Sequence, residues 1–111
     1  MGKRIWKVHL PDAQANEQTG DHPAIIISVH PQTGMTMIVP LTKNIDCLRF
    51  PYTYKIVKSA TNGLTFDSVA LVFHMRSLAN SDARFKEKMG TIEESNLKQV
   101  KILIKDYLSI V

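Results

Sequence analysis

The chain has 111 residues, 44% of them hydrophobic and 22% charged, with a net charge of +4 at pH 7. This is the composition of one globular domain spanning residues 1–111, and it excludes a linker, an acidic tail or a multidomain chain; a chain of this length buries roughly two thirds of its unfolded surface, enough for one modest core. Cys47 is the single cysteine, which excludes a disulfide scaffold, and the four histidines (His9, His22, His30, His74) offer no CxxC or HxxxH spacing for zinc.

The N-terminal residues Met1 to Trp6 return to polar character at Lys7 without a hydrophobic stretch, so no signal peptide or membrane span is expected and the protein reads as cytoplasmic. Residues 3–10 alternate, with Trp6, Val8 and Leu10 on one side and Ile5, Lys7 and His9 on the other, the period of a half-buried strand. Pro11 ends it. Residues 12–22 form a polar stretch without periodicity, longer than a usual hairpin loop, and such segments tend to carry function.

Pro23 opens Ala24-Ile25-Ile26-Ile27-Ser28-Val29, a β-branched run expected as a strand buried on both faces. Thr33-Gly34 turns the chain into Met35 to Val39, and Pro40 is expected to halt that strand before Leu41-Thr42-Lys43. A polar link follows, then alternation over 51–58, a turn at Asn62-Gly63, and an apolar strand over 68–75. Asn80-Ser81-Asp82 is placed to cap a helical turn, with a short strand over 86–89.

The period then changes. Leu97, Val100, Ile104, Tyr107, Leu108 and Val111 recur at helical spacing behind Thr91-Ile92-Glu93-Glu94, which reads as a capping box. The whole pattern predicts a mainly β fold with a C-terminal helix: a small, curved antiparallel sheet or partly open barrel, closed on one side by the helix. Residues 1–66 carry seven Lys and Arg against four Asp and Glu, so the sheet half holds most of the positive excess and favours an anionic partner.

If the strands around Ala24–Val29 and Met35–Val39 pair as a hairpin, His22 and Thr42 lie at one edge of the sheet, because antiparallel neighbours run back past each other. Glu17, Gln18 and Gly20 precede that edge and Lys43 follows it. Carboxylate, imidazole, hydroxyl and ammonium then converge. The sequence has no nucleophile elbow and no phosphate-binding glycine loop. The set suits RNA cleavage, in which the ribose 2′-OH is the nucleophile and the protein moves protons and stabilises the charged phosphorane.

At these residues the chain resembles the MazF, PemK and Kid family of toxins from type II toxin–antitoxin modules. The resemblance rests on Trp6 with Leu10-Pro11, on residues 17–28, on Ile38-Val39-Pro40-Leu41-Thr42, on Gly63-Leu64, Asp67-Ser68-Val69 and Arg76-Ser77, and on Arg84 and Gly90. It implies an SH3-like barrel and a homodimer. It also implies cleavage of single-stranded mRNA, without metal or cofactor, to a 2′,3′-cyclic phosphate and a 5′-OH, and neutralisation by a cognate antitoxin.

Thr42 matches the family's catalytic threonine and Glu17 its loop glutamate. His74 falls where the family often has a base-contacting glutamine, Arg76 matches a neighbouring basic residue, and Gln18 and Lys43 flank the same site. His22 stands where the family usually carries a catalytic arginine. An imidazole can still donate a proton and, when charged, stabilise an oxyanion.

Each of these residues has a plainer reading. His22 is otherwise a surface histidine beside a strand, Thr42 a strand terminus, Glu17 a solvated loop charge, and Lys43 and Arg76 ordinary surface cations. Trp6, Phe50, Tyr52 and Tyr54 either stack on bases or pack in a core or dimer interface. Arg84 reads as structural and Cys47 as a bystander. The alternative function is a non-enzymatic binder on the same fold: an inactive family member, or a gyrase-poison-like toxin resembling CcdB.

Overall fold

A computed structural model describes residues 3–10 and 20–109. Seven strands and one helix follow in order: β1 (Arg4–Leu10), β2 (Gly20–His30), β3 (Met35–Thr42), β4 (Thr53–Ile56), β5 (Ser68–Leu71), β6 (Arg76–Ala79), β7 (Phe85–Thr91) and α1 (Glu94–Leu108). The strands make one antiparallel sheet in the order β4-β5-β3-β2-β1-β7, with β6 paired to β3 beside β5. It curls without closing, so the barrel implied by the resemblance is an open one.

β3 forks between two neighbours. Its first half pairs with β6, from Met35↔Ala79 to Ile38↔Arg76. Its end pairs with β5 through Leu41↔Ala70 and Thr42↔Val69. The strand therefore runs through Pro40 instead of halting there. Pro40 pairs with Ala24 of β2 and falls between the stretches that β6 and β5 take up, where a missing N–H interrupts neither of those ladders.

The alternation along β2 and β3 fills two cores, one on each face. Ile25, Val39 and Leu41 join Ile56, Val72, Leu97 and Val100 beneath α1. Ala24 and Ile38 point the other way and join Val8, Leu10 and Leu78. Both faces of β2 are covered at Ala24 and Ile25, but Ile26 to Ser28 are half-buried and Val29 is exposed, so the expected burial on both faces holds only over the start of the run 24–29.

Four expectations change in detail. The apolar run 68–75 is a strand only to Leu71, after which Val72–His74 turn as a 3-10 helix. Residues 81–84 form a turn closed by the Arg84 N–H donating to the Ser81 carbonyl, not a capped helix. The polar link after Thr42 holds a 3-10 helix, Ile45–Arg49, capped by Asn44, whose side chain accepts the Asp46 N–H. In α1, Leu97 and Val100 are buried and Ile104 and Tyr107 pack against the core, but Leu108 is 62% exposed; Val111 lies outside the described residues.

No capping box forms at the start of α1. Glu93 is the N-cap, and its side chain turns away from the helix N–H groups. Its carboxylate instead accepts hydrogen bonds from Ser59, Asn62 and Asn96. Asn62, fully buried, also takes the N–H groups of Ser59 and Leu64 on its carbonyl oxygen, which stitches the β4–β5 connection to the helix start.

Candidate functional site

The register of β2 and β3 decides which side chains meet. The β2–β3 pairing shifts register by one residue between Ile26 and Ser28 and runs as far as Ala24↔Pro40; His22 and Thr42 each lie two residues beyond that last pair, toward the same end of the sheet. On its other side His22 pairs with Val8 of β1. By strand alternation from Ala24 and Pro40, His22 and Thr42 fall on one face of the sheet.

Thr42 is the last residue of β3 and only 5% exposed. Its Oγ1 accepts the Asn44 N–H at 3.2 Å. That bond uses an oxygen lone pair and leaves the hydroxyl proton to be donated elsewhere. Lys43 follows on the exposed side, its Nζ 5.0 Å from the centroid of the Phe66 ring, a cation–π contact that holds an otherwise mobile side chain near the strand end.

His74 closes the 3-10 turn after β5, with its ring centroid 4.4 Å from that of Phe73. Phe73 in turn meets Phe50 edge-on at 6.0 Å, and the Arg49 guanidinium lies 4.8 Å from the Phe50 centroid. Arg76 opens β6 opposite Ile38, four residues before Thr42 on β3 and so roughly 13 Å along the strand. The fold thus puts His22 near the start of β2 and Thr42 and Lys43 at the end of β3, toward the same end of the sheet, and sets Arg76 at a distance along β3. Glu17 and Gln18 lie outside the described residues.

Other aromatic candidates divide. Tyr52 meets Tyr107 of α1 at 5.0 Å between centroids, and the Tyr54 hydroxyl donates to Asn96, so both serve packing against the helix. Trp6 stands edge-on to Phe85 at 6.4 Å beside the second core.

Two groups at this end are not evident from the sequence. His9 Nδ1 lies 2.9 Å from an Asp21 carboxylate oxygen, the pair directly opposed across β1 and β2. Strand alternation turns them to the face opposite His22. The alternation of residues 3–10 carries part of the signal, but pairing His9 with Asp21 needs the β1–β2 register. Phe66, 54% exposed beside Lys43, comes from a segment with no strand period.

Among the described residues no three His, Cys, Asp or Glu side chains converge as a metal site. No helix among them is long and apolar enough to cross a membrane.

A curled, open antiparallel sheet carrying one terminal helix is the architecture of MazF-like proteins. The chain superposes on MazF from Deinococcus radiodurans (Form-I) with a TM-score of 0.75 and 22% identity, covering 98% of this chain and 94% of the other. It superposes on the Mycobacterium tuberculosis toxin MazF-mt6 with a TM-score of 0.72 and 14% identity, covering 97% and 98%. A Deinococcus radiodurans MazE-MazF structure (Form-II) aligns with a TM-score of 0.67 and 25% identity over 99% and 95%. No curated protein sequence matches. The family model described as the PemK-like, MazF-like toxin of type II toxin–antitoxin systems matches residues 3–108, and the chain belongs to that family.

Proposed function

We propose that this toxin is an endoribonuclease that cleaves single-stranded mRNA without metal or cofactor, through attack of the ribose 2′-OH. The observation that carries the reading is the family match over residues 3–108, with His22 and Thr42 both just beyond the Ala24↔Pro40 pair at one end of the sheet. In the cleavage step the 2′-oxygen loses its proton and bonds to phosphorus, the P–O5′ bond breaks, and the 5′-oxygen leaves with a proton. The products are a 2′,3′-cyclic phosphate and a 5′-OH.

His22 supplies the leaving-group proton or, as imidazolium, the positive charge beside the phosphorane. Thr42, desolvated and positioned by the Asn44 N–H, donates its hydroxyl proton to a phosphorane oxygen. Glu17, three residues before β2, takes the 2′-OH proton. Lys43 and Arg76 hold phosphates on either side, and His74 and Gln18 meet bases. The assembly is a homodimer of single-domain chains acting in the cytoplasm, and an antitoxin protein of the MazE kind neutralises it, by analogy with the MazE-MazF structure to which the chain is similar.

The test is cleavage of a single-stranded RNA in EDTA, beside the same strand with one 2′-deoxyribose at the scissile position. Cleavage of the first and not the second is expected. Cutting of the deoxy strand, or loss of cutting in EDTA, contradicts the mechanism. Absence of any cutting favours the second reading, a toxin that acts by protein contact, for which the histidine at the family's arginine position is the motivating feature.

A further inference from the structure

A concave surface lies away from His22, against the middle of β2. A cavity of about 510 Å³ opens between the start of β1, the middle of β2 and the turn that joins β6 to β7. Its walls include Ile26 and Ser28, four and six residues beyond His22 and so roughly 13–20 Å from it along the strand. The volume falls in the range of small-ligand sites, and the lining combines apolar walls with a few polar groups, as such sites do.

Three features define what would fit. The Trp6 and Phe85 rings, at 80° to each other, make an apolar corner suited to a flat ring. Lys3 and Arg4 border the same opening with positive charge, and neither forms an ion pair among the described residues. On the turn side stand Asn80 and Asp82. Thr36, buried, donates its hydroxyl to the Asn80 carbonyl oxygen, which orients the amide and leaves its NH2 as the donor on that wall.

We propose that this cavity is a nucleotide site: the base lies in the Trp6–Phe85 corner with its edge toward Asn80 and Asp82, and the phosphate meets Lys3 and Arg4. A carboxylate beside the base edge favours amino-bearing bases, adenine, guanine and cytosine, over uracil, whose single N3–H donor is flanked by two carbonyl oxygens that a carboxylate repels. The ligand is a nucleoside phosphate, either free or as one residue of a single strand. The site does not depend on the cleavage reading, because it is separate from His22 and Thr42.

Trp6 is the only tryptophan of the chain, so its indole N–H gives one NMR cross-peak that reports the cavity directly. The protein is titrated with AMP, GMP, CMP and UMP, with ribose 5-phosphate, with N-acetyl-tryptophanamide as an apolar side-chain mimic, and with a short 2′-O-methyl RNA that 2′-OH chemistry cannot cut. A saturable shift with AMP, GMP or CMP, weaker with UMP, supports a site for free nucleotides; a shift with the oligonucleotide alone supports one for a strand residue. Arg4→Gln, at an exposed position, is expected to weaken nucleotide binding about fivefold, and Asp82→Asn to remove the discrimination against UMP. The proposal is overturned if no nucleotide or oligonucleotide moves the peak, if ribose 5-phosphate acts as well as the nucleotides, or if only the tryptophan amide binds, which would make the cavity a socket for a partner protein's side chain. Cleavage activity on an ordinary RNA is measured separately, so failure here and failure of the nuclease reading remain distinct.

Discussion

Thr42 has one property that a strand terminus does not need: a hydroxyl almost sealed from water, its oxygen already engaged by a backbone N–H and its proton left to give. Thr42→Ala is therefore expected to lower the cleavage rate on the order of tenfold to a thousandfold, the range for removing one transition-state donor. Thr42→Ser keeps the hydroxyl and is expected to retain most of the rate. At His22 the chain leaves its family's usual arginine. A guanidinium brings a permanent charge and a fork of donors, whereas an imidazole can itself hand over a proton. His22→Ala is expected to nearly abolish cleavage with the fold intact by circular dichroism, and His22→Arg to keep it. An alanine variant that cuts as well as the parent would remove His22 from the mechanism and leave its step to Glu17 or Arg76.

The packing of the β4–β5 connection against the start of α1 depends on a polar cluster at Glu93. Burial pushes this carboxyl up, but the hydrogen bonds from Ser59, the backbone, Asn62 and Asn96 outweigh it and hold the group below its ordinary value of 4.5. A depressed native value stabilises the fold fully above the unfolded value, and that contribution disappears as pH falls through the native one. Thermal unfolding followed from pH 7 to strongly acid solution is expected to show this loss below about pH 4. Glu93→Gln should cost about 2 kcal/mol at neutral pH and flatten the acid limb. The same region tolerates no added methyl. Gly63 has φ +69° and a Cβ there would overlap the Met89 carbonyl, while one on Gly90 would run into the carbonyls of Thr61 and Asn62. Gly90→Ala is expected to lose about 2–3 kcal/mol in denaturant titration, as overpacking against backbone does.

Over the whole molecule, apolar side chains remain outside both cores. Val57, Phe66, Ile102 and Leu108 are each more than half exposed. Covering such residues is a general reason for a small domain to pair, and the proposed homodimer is one way to cover them. Light scattering at micromolar concentration is expected to return twice the mass of the chain. A single-chain mass up to high concentration would leave each strand-end site to act alone and would remove an RNA path shared between two copies.

Most of the strand inventory is legible in the amino-acid sequence. Alternation over 3–10, the β-branched run 24–29 and the turns at Gly34 and Gly63, both at positive φ, mark the elements, because period and turn chemistry are local properties of the chain. That His22 and Thr42 lie toward one end of the sheet is legible too, since the hairpin runs β3 back past β2, but the final register is not: a bulge between Ile26 and Ser28 shifts it by one residue from the register set at the turn. Tertiary structure decides the rest. Pro40 can stay inside β3 only because the strand changes partner there, and Glu93 leaves its helix cap only because Ser59 and Asn62, more than thirty residues away in sequence, offer its carboxylate better donors. The His9–Asp21 pair, the Lys43–Phe66 contact and the distal cavity belong to the same class. Each is made by side chains whose neighbours are set by how the curled sheet brings separate strands and turns together, and local sequence carries no record of that.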